Sequence, residues 1–263
     1  MKKYLVIGNP IEHSLSPKLH NFWMKKNNID GIYEKKEINN SEFQNLILQI
    51  REKKLSGINV TVPFKNEIIS YLDVLSNEAK KTQSVNTIYL KENKIFGHNT
   101  DIDGFELSIK HINYDLNNKR ILILGAGGVV PSIIEALIRL KVSQIFVTNR
   151  TKEKAKKLEN IFKNLTIIDW GNTIDVDVII NATSLGLKKN DKINLDLSNL
   201  GKNKFFYDVI YNPKQTDFLE SAKKLGNKTE NGKMMFIYQA LAAFKIWHQK
   251  EPIIDEETIK LLD

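Results

Sequence analysis

Four consecutive small residues, set between an apolar strand and an apolar helix, limit the folds open to this chain more than any other stretch. Ile121–Leu124 is a short apolar run of the kind buried on both faces of a parallel sheet. Gly125-Ala126-Gly127-Gly128 follows directly, and a helical apolar run continues to about Leu140. In that context glycine at 125 permits the tight turn, and glycine at 127 lets the backbone approach a pyrophosphate at the helix N-terminus. The third position of the G-x-G-x-x-G pattern falls on Val130, which is not small. The pattern alone therefore leaves open a plain strand-to-helix turn. The next strand, Gln144–Thr148, separates the readings. An NAD site wants an acidic residue about 20 positions on, to accept the ribose hydroxyls. Here the strand ends in Asn149-Arg150-Thr151, with Lys152 and Lys154 after it. No carboxylate is there to repel a 2′-phosphate, and a guanidinium is available to clamp one. A solvated basic helix start is the other reading. Cations in a first turn oppose the helix dipole, however, so a bound anion accounts for them better. The expected cofactor is NADP.

The rest of the chain repeats the alternation. Strands are expected at Tyr4–Gly8, Gly31–Ile38, Ile58–Val62, Val85–Leu90, Lys94–Gly97, Val176–Asn181 and Lys204–Val209. A tight turn at Glu92-Asn93 joins the fourth and fifth of these. Ser16-Pro17 reads as an N-cap with proline at the first helical position, and Ser41 with Gln44 as a capping box ahead of Leu46, Ile47 and Ile50. Further helices are expected over Lys152–Phe162, about Thr216–Leu225, Lys233–His248 and Asp255–Leu262. The fold class is α/β with a doubly wound parallel sheet.

Composition excludes several functions. The chain has 263 residues, 41% of them apolar, enough for a core and too many for a disordered tail. With no cysteine, disulfide scaffolds, thiolate metal sites and thiol nucleophiles are out, and no metal site is expected. The net charge of +8 is spread evenly: residues 1–101 carry 15 basic and 11 acidic side chains and the remainder 24 and 20. Without a basic arm or stripe, no nucleic-acid partner is expected. The first apolar run breaks at Asn9-Pro10, short of a secretory segment, and no stretch suits a membrane span. A soluble cytoplasmic protein with a small-molecule partner, as a monomer or homodimer, is the expectation.

Polar constellations crowd the first part. His13-Ser14-Leu15-Ser16-Pro17 places two hydroxyls at a helix start, where ordinary capping by Ser16 is the plain reading. In Asn59-Val60-Thr61-Val62-Pro63-Phe64-Lys65, Asn59 and Thr61 share a strand face, and a lysine follows the strand's C-terminal end, where α/β proteins put ligands. Lys65 alone would be read as a solvated lysine. Val85-Asn86-Thr87 and Gly97-His98-Asn99-Thr100-Asp101 add amides, hydroxyls and a carboxylate, with Asp101 open to reading as a loop or helix cap. Together they suit a small polyhydroxylated carboxylate.

These segments, read in order, resemble the shikimate dehydrogenases, NADP-dependent enzymes of the shikimate pathway. The matching residues are Gly8-x-Pro10, His13-Ser14-x-Ser16-Pro17-x-x-His20-Asn21, Asn59-Val60-Thr61-x-Pro63-x-Lys65, Val85-Asn86-Thr87 and Gly97-x-Asn99-Thr100-Asp101-x-x-Gly104. Gly125–Gly128, Asn149-Arg150-Thr151, Asn181-Ala182-Thr183, Asp208-x-x-Tyr211-x-Pro213-x-x-Thr216 and Gly232-x-x-Met235-x-x-x-Gln239 complete the set. The resemblance implies an α/β substrate domain over 1–101, completed by helices in 237–263, and a Rossmann-type NADP-binding domain over 102–236. It implies that Ser14, Ser16 and Tyr211 take the substrate carboxylate. Asn59, Thr61, Asn86, Asp101 and Gln239 would take its hydroxyls, with Lys65 and Asp101 the catalytic pair. The cofactor would fall to Gly125, Ala126, Gly127, Gly128, Val129, Asn149, Arg150, Thr151, Lys154, Thr183, Val209, Gly232 and Met235. Three departures stand out: Val130, Gln83-Ser84 where members usually have Gly-Ala, and Met234 where glycine is common. Alternatives are a quinate/shikimate dehydrogenase with broader substrate and NAD use, a silent shikimate-binding homologue, and a related two-domain dehydrogenase acting on a folate.

Overall fold

Alternating apolar residues in Lys2–Gly8 (β1) put Tyr4 and Val6 on one sheet face and Leu5 and Ile7 on the other, all buried. In the computed structural model, which describes residues 1–172, 174–188, 191, 193 and 201–263, the chain forms two compact units. One comprises Met1–Gly104 with Ile237–Asp263, the other Phe105–Phe236.

In the first unit β1 is joined by Gly31–Glu37 (β2), Gly57–Val60 (β3), Val74–Leu75 (β4), Thr87–Lys91 (β5) and Lys94–His98 (β6). The sheet runs β2-β1-β3-β5-β6-β4 and is mixed. Strands β2 and β3 lie parallel to β1, while β5 is antiparallel to β3 and β6. The reversal comes from a two-residue turn at Glu92-Asn93, with φ of 50° and 60°, the left-handed pair that suits a twisted hairpin. Helices α1 (Ser16–Lys26), α2 (Phe43–Arg51) and α3 (Asn77–Thr82) follow β1, β2 and β4. On one face Leu5, Ile7, Ile58 and Val60 pack with Phe43, Leu46, Ile47 and Ile50 of α2. The other face is aromatic, gathering Tyr4, His20, Trp23 and Tyr33 with Phe244, Trp247 and His248.

The second unit holds β7 (Arg120–Leu124), β8 (Gln144–Thr148), β9 (Leu165–Ile168), β10 (Val178–Asn181), β11 (Phe205–Asp208) and β12 (Lys228–Asn231). All pairs are parallel, in the order β12-β11-β10-β7-β8-β9. This is the doubly wound order, with its switch point between β7 and β10. Helix α4 (Asp101–His111) precedes the sheet, α5 (Val130–Arg139), α6 (Lys152–Glu159) and α7 (Asp217–Lys224) lie within the unit's sequence, and α8 (Lys233–His248) and α9 (Glu256–Lys260) close the chain.

Local details differ from the sequence reading. Ser16 is the first residue of α1 and caps nothing; Leu15 holds the N-cap position. The reciprocal bond ahead of α2 is made by Glu42, whose carboxylate accepts from the Asn39 N–H at 3.1 Å, in place of Ser41 with Gln44. Strand β3 stops at Val60, because Phe64 N–H bonds back to Thr61 C=O and turns the chain; Thr61 thus leaves the strand that carries Asn59. Helix α6 ends at Glu159, short of Phe162.

Candidate active site

The strand ends of the first unit converge on a buried polar network. Lys65 and Asp101 are 7% and 5% exposed, and the ammonium meets carboxylate Oδ2 at 2.5 Å. Burying an ion pair costs several kcal/mol per ion unless other bonds satisfy it. Asp101 has them: Asn86 Nδ2 donates to its other oxygen at 2.9 Å, and Asp101 N–H donates to Asn99 Oδ1 at 3.0 Å. Asp101 itself opens helix α4, so the carboxylate sits in a first turn, where the dipole favours an anion. Lys65 arrives from the turn after β3, and its carbonyl accepts from Val85 N–H at 2.8 Å.

Asn86 is the hub. Its Oδ1 accepts from Thr100 N–H at 2.8 Å and from Thr87 Oγ1 at 3.0 Å, while Nδ2 also reaches Thr100 Oγ1 at 2.9 Å. Asn59 joins through Nδ2, which donates to Asn86 C=O at 2.9 Å and Thr87 Oγ1 at 3.1 Å. The Tyr33 hydroxyl donates to Asn59 Oδ1 at 2.6 Å. Ser14 Oγ accepts from Ser16 N–H at 3.3 Å. One network thus ties Tyr33 through Asn59 and Asn86 to Asp101 and Lys65. Thr61 and Gln239 belong to the same unit and are half-buried. The sequence reading missed Tyr33, the one fully buried residue of β2, and nothing in the sequence alone singled it out.

In the second unit the small-residue cluster sits at the switch point. Gly125 has φ of +112°, and a Cβ there would meet Ala182 C=O at 2.8 Å, so glycine is required twice over. A Cβ on Gly127 would come no nearer than 4.0 Å to any protein atom beyond its chain neighbours. Protein packing does not demand glycine at 127, and a Cβ there would project into open space. Ala126 and Val129 are half-buried and Gly128 exposed beside it, and α5 begins at Val130 with no side-chain cap. Asn149, Arg150, Thr151 and Lys154 gather at the end of β8, with Asn149 Nδ2 bonded to Thr151 C=O at 2.8 Å. Arg150 and Lys154 are exposed and make no ion pair among the described residues, whereas Lys152 is taken up by Asp169 at 2.5 Å.

Beyond β10, Thr183 N–H and Oγ1 both donate to Asn181 Oδ1, at 3.1 and 2.7 Å. Asn181 Nδ2 in turn donates to Asp208, a fully buried carboxylate that also accepts from Ile210 N–H and Thr216 Oγ1. Burial pushes the Asp208 carboxyl up to about 6. Gly232 is forced to be glycine, because a Cβ would lie 2.1 Å from Val209 C=O. Met234 and Met235 are both buried. Tyr211 belongs to this second unit, its ring stacked on Phe236 at 4.5 Å.

A doubly wound sheet with an open glycine turn and unpaired cations, in a chain that also carries a buried lysine–aspartate pair amid amides and hydroxyls, defines a two-domain α/β dehydrogenase of the dinucleotide-dependent class. Comparison with known proteins narrows the class. The family model for the shikimate dehydrogenase substrate binding domain matches residues 6–88, and that for shikimate / quinate 5-dehydrogenase matches residues 106–217. A protein named shikimate dehydrogenase (NADP(+)) from Pelagibacter ubique is 58% identical over 262 residues, covering 100% of this chain and 99% of its own. The crystal structure of shikimate dehydrogenase from Aquifex aeolicus superposes with a TM-score of 0.91 at 37% identity, covering 100% and 97% of the two chains. That of the Thermus thermophilus enzyme, in complex with NADP(H) and shikimate, gives 0.90 at 30%, covering 100% and 98%. The chain belongs to the shikimate dehydrogenase family.

Proposed function

We propose that this chain catalyses the reversible NADPH-dependent reduction of 3-dehydroshikimate to shikimate, in the cytoplasm, as a step of the shikimate pathway. The observation that carries the reading is the buried Lys65–Asp101 pair, fixed by Asn86 and Asn99 at the end of strands lined with amides and hydroxyls. Ser14, Ser16 and Tyr211 take the carboxylate of the substrate, and Asn59, Thr61, Asn86, Asp101 and Gln239 its hydroxyls. The folding units correspond to a substrate domain and a cofactor domain.

The residues of the second unit fit NADP. Gly125 and Gly127 leave the turn bare, Ala126, Gly128 and Val129 lead into the uncapped N-terminus of α5, and Arg150 with Lys154 offers exposed cations with no ion pair among the described residues. Asn149, Thr151, Thr183, Val209, Gly232 and Met235 complete the set. When bound, this cofactor supplies the hydride. The protein's part is electrostatic and acid–base. Negative charge grows on the substrate's carbonyl oxygen as it is reduced, and the Lys65 ammonium stabilises that charge and delivers a proton to it. Asp101 holds the ammonium in place, so little reorganisation is needed during the reaction. In the oxidative direction Lys65 takes the proton back.

The reading is tested by a substrate and cofactor panel on the purified protein. Shikimate oxidised with NADP far faster than quinate, and NADP used far better than NAD, is the expected result. Comparable rates with quinate or NAD would instead place the chain among quinate/shikimate dehydrogenases. Tight shikimate binding without turnover would make it a silent binder.

A further inference from the structure

Two members of the sequence pattern, His20 and Asn21, have no part in the reaction described above, yet both address the same residue. Asn21 lies on α1 and pairs its side-chain amide with the backbone of Tyr33 in both senses. Its Nδ2 donates to Tyr33 C=O at 2.8 Å, and its Oδ1 accepts from Tyr33 N–H at 2.9 Å. The His20 ring lies flat on the Tyr33 ring, with centroids 4.3 Å apart and planes within 3°. Strand β2 is an edge strand whose other side chains are exposed or half-exposed, and Tyr33 alone is fully buried. From these residues and bonds, we propose that Tyr33 is a positioning residue whose hydroxyl sets the Asn59 amide for the substrate, and that His20 and Asn21 hold it there.

The chemistry of the hydroxyl supports this. It donates to Asn59 Oδ1 at 2.6 Å. Burial holds the phenol well above its ordinary pKa, so it remains a donor throughout the working pH range. A donor facing Asn59 dictates which way that amide points: Oδ1 toward Tyr33, Nδ2 toward Asn86 C=O and Thr87 Oγ1. The amide then presents a fixed face to the ligand. His20 is suited to the support role alone. Neither ring nitrogen has a partner, and burial lowers its pKa to about 3, so it is a neutral, flat stacking surface.

The inference rests on the functional reading above, and the test separates the two. Tyr33→Phe keeps the ring and its stack and removes one oxygen, leaving a buried acceptor on Asn59 without its donor. In steady-state shikimate oxidation by the full-length protein, Tyr33→Phe is expected to raise KM for shikimate about tenfold, with KM for NADP little changed. Asn21→Ala is expected to raise KM for shikimate by less, and the double variant to be no worse than Tyr33→Phe alone, because both act through one hydroxyl. An unchanged KM for shikimate in Tyr33→Phe overturns the positioning role. So does a loss shared equally by kcat and both KM values, the signature of general damage. Additive effects in the double variant overturn the part given to Asn21. A wild-type protein that does not turn over shikimate overturns the functional reading itself, and this inference with it.

Discussion

At the scale of single residues, the side chains given chemical work divide into those the structure binds tightly and those it leaves open. Lys65, Asp101, Asn59 and Asn86 are buried and cross-bonded, as groups must be if they are to meet developing charge without reorganising. Arg150 is the opposite: exposed, with no ion pair among the described residues. A charge-assisted clamp on a 2′-phosphate is its proposed use. Arg150→Ala is therefore expected to raise KM for NADP roughly tenfold and leave NAD turnover almost unaltered. Equal loss with both cofactors would contradict the clamp. Most of the candidate site was legible in the sequence because its members sit in short runs such as Asn59-Val60-Thr61 and Asn99-Thr100-Asp101. Tyr33 was not legible, because its proposed role depends on Asn59, which is distant in sequence and reaches it only through the sheet. The two hydroxyls at 14 and 16 invited a capping assignment, yet Leu15 holds the N-cap position and no side chain caps α1.

At the scale of elements, the glycine turn between β7 and α5 and the Glu92-Asn93 hairpin are decided by local chemistry, and both were readable directly. Elements held by tertiary contacts were not. Strand β9, Leu165–Ile168, is only half-buried, and β4 is two residues long, so neither carries a strong period. Helix α3 reads NEAKKT, with no apolar stripe long enough to announce it. It is closed instead by Ser76, whose side chain accepts from Ala79 N–H, and by Gln83 in the left-handed region at φ 49°. Gln83 stands where members of the family usually have glycine, and the conformation explains why glycine suits it. A non-glycine residue there is strained by about 1 kcal/mol. The Gln83 carbonyl still accepts from Asn66 Nδ2 at 2.9 Å, a bond glycine would keep. Gln83→Gly is thus expected to raise Tm by about 2 °C in a thermal melt, with activity retained. A lower Tm would show that the exposed Gln83 side-chain bond to Lys80 C=O outweighs the strain.

At the scale of the whole molecule, three titratable groups, His20 and Asp208 buried and His248 half-buried, shape how stability responds to mild acid. Burial lowers His20 to about 3 and His248 to about 4, against 6.5 in an unfolded chain. Above pH 6.5 both states are neutral and nothing is lost. As pH falls below that, the unfolded chain takes up protons that the folded one refuses, at about 1.4 kcal/mol per pH unit for each histidine. Asp208 works the other way: its folded carboxyl takes a proton near 6 and its unfolded one only near 3.8, so between those values it gains stability as pH falls. The expected net loss between pH 6 and pH 4 is therefore about one histidine's slope. Asp208→Asn removes the opposing group, so its melts should steepen to about twice that slope. Parallel curves for the two proteins would contradict the assignment. In the proposed reaction NADPH supplies the hydride, and Lys65, held by Asp101, stabilises and protonates the developing alkoxide. Its most direct test is NADPH consumption on adding 3-dehydroshikimate, in the wild type beside Lys65→Ala. Rapid oxidation in the wild type, with kcat lower by about 10²–10⁴-fold and substrate affinity little changed in the variant, is the predicted result. Wild-type protein that leaves NADPH untouched, or a variant as fast as wild type, would contradict it.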